Sequence, residues 1–206
     1  INGALDLTLN SGTGGTIAVA GNTVVNDIEI VNSNGATFTG TVDANNITLT
    51  DTEDLATVSF LNTVTANDLV TTGNGYLVSM TGTGNTFAAN VDFLNTGLVT
   101  LGDATADTFT FNNGLNFAGG AASNVAASIT ATGDANFGDG GVTLYADAGA
   151  LVTTISGNII FGENINGALD LTLNSGTGGT IAVAGNTVVN DIEIVNSNGA
   201  TFTGTV

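Results

Sequence analysis

Residues 1–42 of this chain recur without a single change at residues 165–206, so the sequence restarts at Ile165. A chain that restarts itself adds a second copy of one structural unit, and such units hold only by burying their apolar faces against their neighbours. Residues 1–206 therefore read as one continuous slice of a tandem array. Residues 1–164 make one repeat unit, and 165–206 begin the next.

A finer period lies inside the long one. An asparagine follows a small residue at Asn22, Asn45, Asn67, Asn90, Asn136 and Asn158, Asn112 or Asn113 fills the one gap, and Asn186 restarts the series. The steps are roughly 22 to roughly 24 residues, with one longer step into the second copy, a spacing typical of solenoids that predicts about seven coils per unit. Apolar residues alternate within the coils, as in Leu5-Leu7-Leu9, Ile28-Ile30, Ile47-Leu49, Val58-Phe60, Phe109-Phe111 and Val142-Leu144. Period-two alternation means strands with one side inside and one in solvent. Breaks such as Ser11-Gly12-Thr13-Gly14-Gly15 and Gly138-Asp139-Gly140-Gly141 are turns. Proline is absent, as suits strands whose every N–H must reach a neighbour. The expected fold is all-β, a parallel β-solenoid (β-helix).

In such a stack one corner recurs about every 4.8 Å, so equivalent asparagine amides can bond one another along the axis. Asparagine also tolerates the left-handed backbone of a corner. Asn22, Asn45, Asn67, Asn90, Asn136, Asn158 and Asn186 are accordingly expected to form one sheltered structural ladder.

Composition excludes several functions. The chain has no Lys, Arg or His, and 18 Asp and Glu leave it at −18. Nothing neutralises phosphate, so nucleic acid is not a partner, and no polybasic patch meets a membrane surface. Its apolar runs are too short for a membrane-spanning helix, and any secretion signal is expected outside this segment. Absent cysteine excludes a disulfide framework. Without Lys or Arg there is no site for trypsin.

The densest carboxylate cluster is Asp51-Thr52-Glu53-Asp54. Paired carboxylates cleave glycosides, but sugar-stacking tryptophan is absent and only Tyr76 and Tyr145 remain, so a solvated turn is expected and no enzyme. Calcium suits carboxylates and turn carbonyls better. Simple screening by diffuse cations is the main expectation, and Asp51, Glu53, Asp54, Asp134 and Asp139 are the places where weak calcium sites would form; no calcium nonapeptide or EF-hand loop occurs. No other cofactor is implied. Gly12-Thr13-Gly14-Gly15-Thr16 lacks the lysine of a phosphate loop. Thr-x-Thr pairs, as at Thr37-Phe38-Thr39, Thr48-Leu49-Thr50 and Thr108-Phe109-Thr110, suggest an ice-binding face only if stacked in register. Here they scatter relative to the asparagines, and β-propensity explains them.

The stretch NGALDLTLNSGTGGTIAVAGN at 2–22 and 166–186, with DANNITLTD at 43–51 and NTVTANDL at 62–69, resembles the β-strand repeats of giant bacterial surface proteins. These are of the filamentous haemagglutinin and autotransporter-adhesin type. The resemblance implies a right-handed parallel β-helix, secretion and a cell-surface or extracellular place. The expected function is a non-catalytic structural repeat of a fibre, stalk or surface layer, whose partner is itself, by continuation or assembly into filaments. The alternative is an adhesin that binds glycans or partner cells through the solenoid surface.

Overall fold

The computed structural model describes residues 1–146 and 149–206, and the described residues form 26 strands and no helix. The strands pair in parallel and stack as a β-solenoid of about nine turns with three faces. The first face begins with Leu7–Asn10 and Asp27–Asn32, the second with Ile17–Val19 and Ala36–Phe38, the third with Thr23–Val24. Two long strands, Val42–Leu49 and Val64–Thr71, bend round the corner from the third face to the first and so join those faces into one 17-stranded sheet. The second face is a separate sheet of nine strands.

Alternation decides what goes inside. Ile28 and Ile30, Val58 and Phe60, and Phe109 and Phe111 point inward and are buried, while the residues between them are partly or fully exposed. Because pairing is in register, like stacks on like. Phe93, Phe117, Phe137 and Phe161 climb the inside of the first face with ring centroids 4.9, 5.6 and 4.7 Å apart. Phe38 and Phe60 stack at 5.2 Å on the second face, and Phe87 and Phe111 at 5.4 Å on the third. Burying each such ring stabilises by ~1.5–3 kcal/mol, and stacking adds ~0.5–1.5 kcal/mol.

The two copies of the repeated block fold alike, but on different faces. Leu7–Asn10 lies on the first face and pairs with Asp27–Asn32; its copy, Leu171–Asn174, lies on the third and pairs with Ile192–Asn196, with the same register shift after Leu9 and Leu173. Ile17–Val19 is on the second face and its copy Ile181–Val183 on the first. Thr23–Val24 is on the third and its copy Thr187–Val188 on the second. Small details are kept through the move. Ser11 Oγ donates to the Gly15 carbonyl at 2.7 Å and Ser175 Oγ to that of Gly179 at 3.0 Å. Gly12 and Gly176 both hold a left-handed φ, +71° and +66°, at the same turn.

Leu171–Asn174 follows Leu7–Asn10 by 23 strand positions when the two bent strands count for both faces they serve. With three positions to a coil, the unit is seven coils and two thirds of another. This replaces the whole number of near-equal coils expected from the asparagine steps. Coil length also varies more than those steps suggest: Ile28 pairs with Ile47 across a short coil, and Val91 with Leu115 across a long one.

Candidate functional site

The interior is filled mainly by apolar side chains, so a site is sought on the lateral surface and its corners. Asn45 and Asn67 stand at the corner from the third face to the first, with Asn90 and Asn158 at the same corner one register place later. Asn22 and Asn186 precede strands of the third and second faces, at other corners. Asn136 lies on the flat of the first face, beside Asn116. None of the seven is buried. The single sheltered ladder expected from the sequence is therefore not formed.

The reason is that every corner has the same need. Where the chain turns, the coil above loses a strand partner for an N–H, and an asparagine carbonyl below supplies the acceptor. Asn22 Oδ1 accepts from Thr41 N at 3.0 Å, Asn186 Oδ1 from Thr205 N at 2.9 Å, and Asn158 Oδ1 from Thr180 N at 3.0 Å. At these three corners asparagine caps the next coil, whereas the side chains of Asn45, Asn67 and Asn90 donate instead, to Asp27, Asn46 and Asp92. Amide-to-amide contacts do occur, Asn67 to Asn46 at 3.4 Å and Asn136 to Asn116 at 3.0 Å.

A different pairing recurs along the rod, of a carboxylate with an amide of the next coil. Asp6 accepts from Asn26 Nδ2 at 2.7 Å, and Asp27 Oδ1 accepts from Asn46 N at 3.0 Å and Nδ2 at 2.9 Å. Asp134 Oδ1 accepts from Asn158 N at 2.6 Å and Nδ2 at 3.2 Å, and Asp92 Oδ1 from Asn116 Nδ2 at 2.8 Å. In a chain with no cationic side chain, amide donors are the counter-groups of the carboxylates, and a charged acceptor makes the stronger hydrogen bond. A readable signal existed: Asp6-Leu7, Asp27-Ile28, Asp68-Leu69, Asp170-Leu171 and Asp191-Ile192 all put Asp just before an inward apolar residue.

Other carboxylates are held less comfortably. Burial pushes Asp68 up from the ordinary carboxylate value; the Leu69 amide pulls it down, and the charge of Asp92 raises it further. Asp103 is exposed; partial desolvation and then the charge of neighbouring Asp107 raise it. Asp107 is itself buried, its Oδ2 accepting from the N–H groups of Asp103 and Ala104 at 2.8 and 3.0 Å.

The candidate calcium residues are dispersed. Asp51 is gripped by amides from both sides, Asn32 Nδ2 at 3.2 Å and Asn74 Nδ2 at 3.2 Å. Asp54 Oδ1 accepts from Gly75 N at 2.9 Å, and Glu53 is exposed. Asp134 comes just before the strand Ala135–Asn136 and Asp139 after it, at the two ends of one face. Among the described residues no three Asp or Glu side chains converge. Tyr76 is fully buried, its hydroxyl donating to the Leu49 carbonyl at 2.9 Å, so it offers no face to a sugar. Burial holds its phenol above the ordinary value, against hydrogen bonds from Thr72. Next to the acidic turn, Leu55 is 81% exposed and left-handed at φ +66°.

One array went unseen in the sequence. Thr65, Thr86, Thr110, Thr130 and Thr153 stand in register on the outside of the third face, one per coil over five coils. Thr108 and Ser128 form part of a second column beside them. The Thr-x-Thr pairs named above do scatter, over three faces. The column is built by residues that lie far apart in sequence and meet only through coil length. No protein-family model, curated protein or solved structure matches the chain.

Proposed function

We propose that this chain is a repeat segment of an extracellular fibre, stalk or surface-layer protein, non-catalytic, in which the number of copies sets length and the solenoid sets stiffness. The observation that supports it most is that the second copy of the repeated block rebuilds its pairings while continuing the same rod. Such a unit adds length without a joint. A core of Phe, Ile and Val stacked in register resists bending, and an acidic, amide-laced surface keeps neighbouring rods apart at low salt.

Electron microscopy of the whole protein tests this, together with antibody labelling of intact cells. Rods should appear at the cell surface, lengthening by about 37 Å per repeat at ~4.8 Å per coil. Globular particles, or label found only inside cells, would overturn it.

A second reading is supported by the threonine column. Five outward Thr side chains in register, with no hydroxyl bonded to another described residue, offer methyl and hydroxyl groups at regular spacing, as a glycan-binding adhesin surface would. Glycan-array binding lost on replacing Thr86, Thr110 and Thr130 together by Val would favour it. Unchanged binding, or none, would not.

A further inference from the structure

The two ends of the rod show, residue for residue, what each lacks. In the first copy Ile30 and Val42 are 0% and 2% exposed; in the second, with the same sequence, Ile194 and Val206 are 39% and 74% exposed. Residues 43–64 make the difference: Leu49 covers Ile30, Val58 covers Ala36, Phe60 stacks on Phe38 and Val64 covers Val42. The lower end mirrors this. Leu171, Leu173 and Ile181 are buried on top of Ala150, Val152 and Ile159, while their twins Leu7, Leu9 and Ile17, with no coil beneath them, are only half-buried.

We infer that the upper end is covered by a chain segment with the sequence of residues 43–64, continuing the tandem array, and that each unit is turned by a third of a revolution against the one before, which rests on the fibre reading. The turn follows from the count. Twenty-three strand positions leave two thirds of a coil over, so each unit steps back by one face, as Leu7 to Leu171 steps from the first face to the third. Three units then fill a whole number of coils and bring every residue back to its own face.

Two properties of the array come from this. The carboxylate–amide corner of one unit emerges at a different corner in the next, so the rod carries no single acidic side and repels or bridges neighbours equally in three directions. The threonine column likewise occupies any given face only in every third unit, as a short patch and never as one long stripe. A partner that binds it meets sites spiralling round the rod. A whole number of coils per unit would instead have aligned every patch on one side.

Helical reconstruction of the repeat region in the full-length protein decides the matter. The expected result is an axial step of about 37 Å with a rotation of one third of a turn, and a true repeat of about 110 Å, taking ~4.8 Å per coil. Straight rods whose step carries no rotation would overturn the inference and leave the fibre reading standing. Particles joined like beads, with no continuous rod, would overturn the fibre reading and this inference with it.

Discussion

Not every polar corner residue holds the fold to the same degree, and burial separates them. Asn95 is fully buried; its Nδ2 donates to the Tyr76 carbonyl at 3.2 Å and the Gly97 carbonyl at 2.9 Å. Asn95→Ala strands both acceptors and should cost ~1–3 kcal/mol. Asn67 is exposed and makes one long contact, so Asn67→Ala should stay within about 0.5 kcal/mol, as surface changes do. Urea denaturation of the two variants checks the contrast; equal losses would mean that the exposed amide contact of Asn67 carries stability after all. Gly97 adds a steric case. A Cβ there would meet the Tyr76 and Gly75 carbonyls of the coil below, so Gly97→Ala should destabilise by about as much as a core overpacking, ~1–3 kcal/mol.

Strands in this molecule are short, many of two to four residues, and none has stability of its own. The stack supplies it, chiefly through side-chain columns such as Phe93-Phe117-Phe137-Phe161. Removing a middle ring by Phe137→Ala breaks two stacks at once, with Phe117 and with Phe161. The expected loss is ~3–5 kcal/mol, seen in the same denaturation experiment. Position in the stack matters as much as sequence. Residues 23–42 lie inside the rod and residues 187–206, identical to them, at its end. Amide exchange should therefore be far faster in the second block of this chain, because end strands open without breaking the core. Peptides running past Val42 into the unique sequence distinguish the two by mass. Equal protection would show that something covers the upper end.

Taken whole, the molecule is a rod with 18 acidic side chains and no basic one, and its response to pH should run opposite to ordinary acid denaturation. Asp68 and Asp103 have folded values raised above the unfolded ones. Between the two values the folded state binds more protons, so stability falls as pH rises through that window and is regained on acidification. Relief of mutual repulsion acts in the same direction. Thermal unfolding followed by circular dichroism should give a higher midpoint at the ordinary carboxylate value, about pH 4, than at neutral pH, and added salt should narrow the gap by screening. A midpoint that drops on mild acidification would show that the hydrogen bonds from amides to carboxylates dominate instead.

Much of this architecture was legible in the order of residues. Alternation at Ile28-Ile30 or Phe109-Phe111 fixes strand and inward side, because a side chain's face is a local property of an extended chain. The identity of 1–42 with 165–206 dictates equal local folds, since equal sequences in equal stacked surroundings reach the same minimum. What the tertiary structure alone decided was phase: which face each strand joins, which residues stack, and how far one unit turns against the next. All three corners ask the same thing of a residue, an acceptor for the next coil's N–H, so Asn22 and Asn158 look alike in sequence while standing at different corners. Loop lengths absorb the difference, letting the coil from Ile28 to Ile47 run shorter than the one from Val91 to Leu115. Phase is set only when Phe137 finds Phe117 and Thr130 finds Thr110 across a coil, and those are contacts between residues a full turn apart, which no local pattern records.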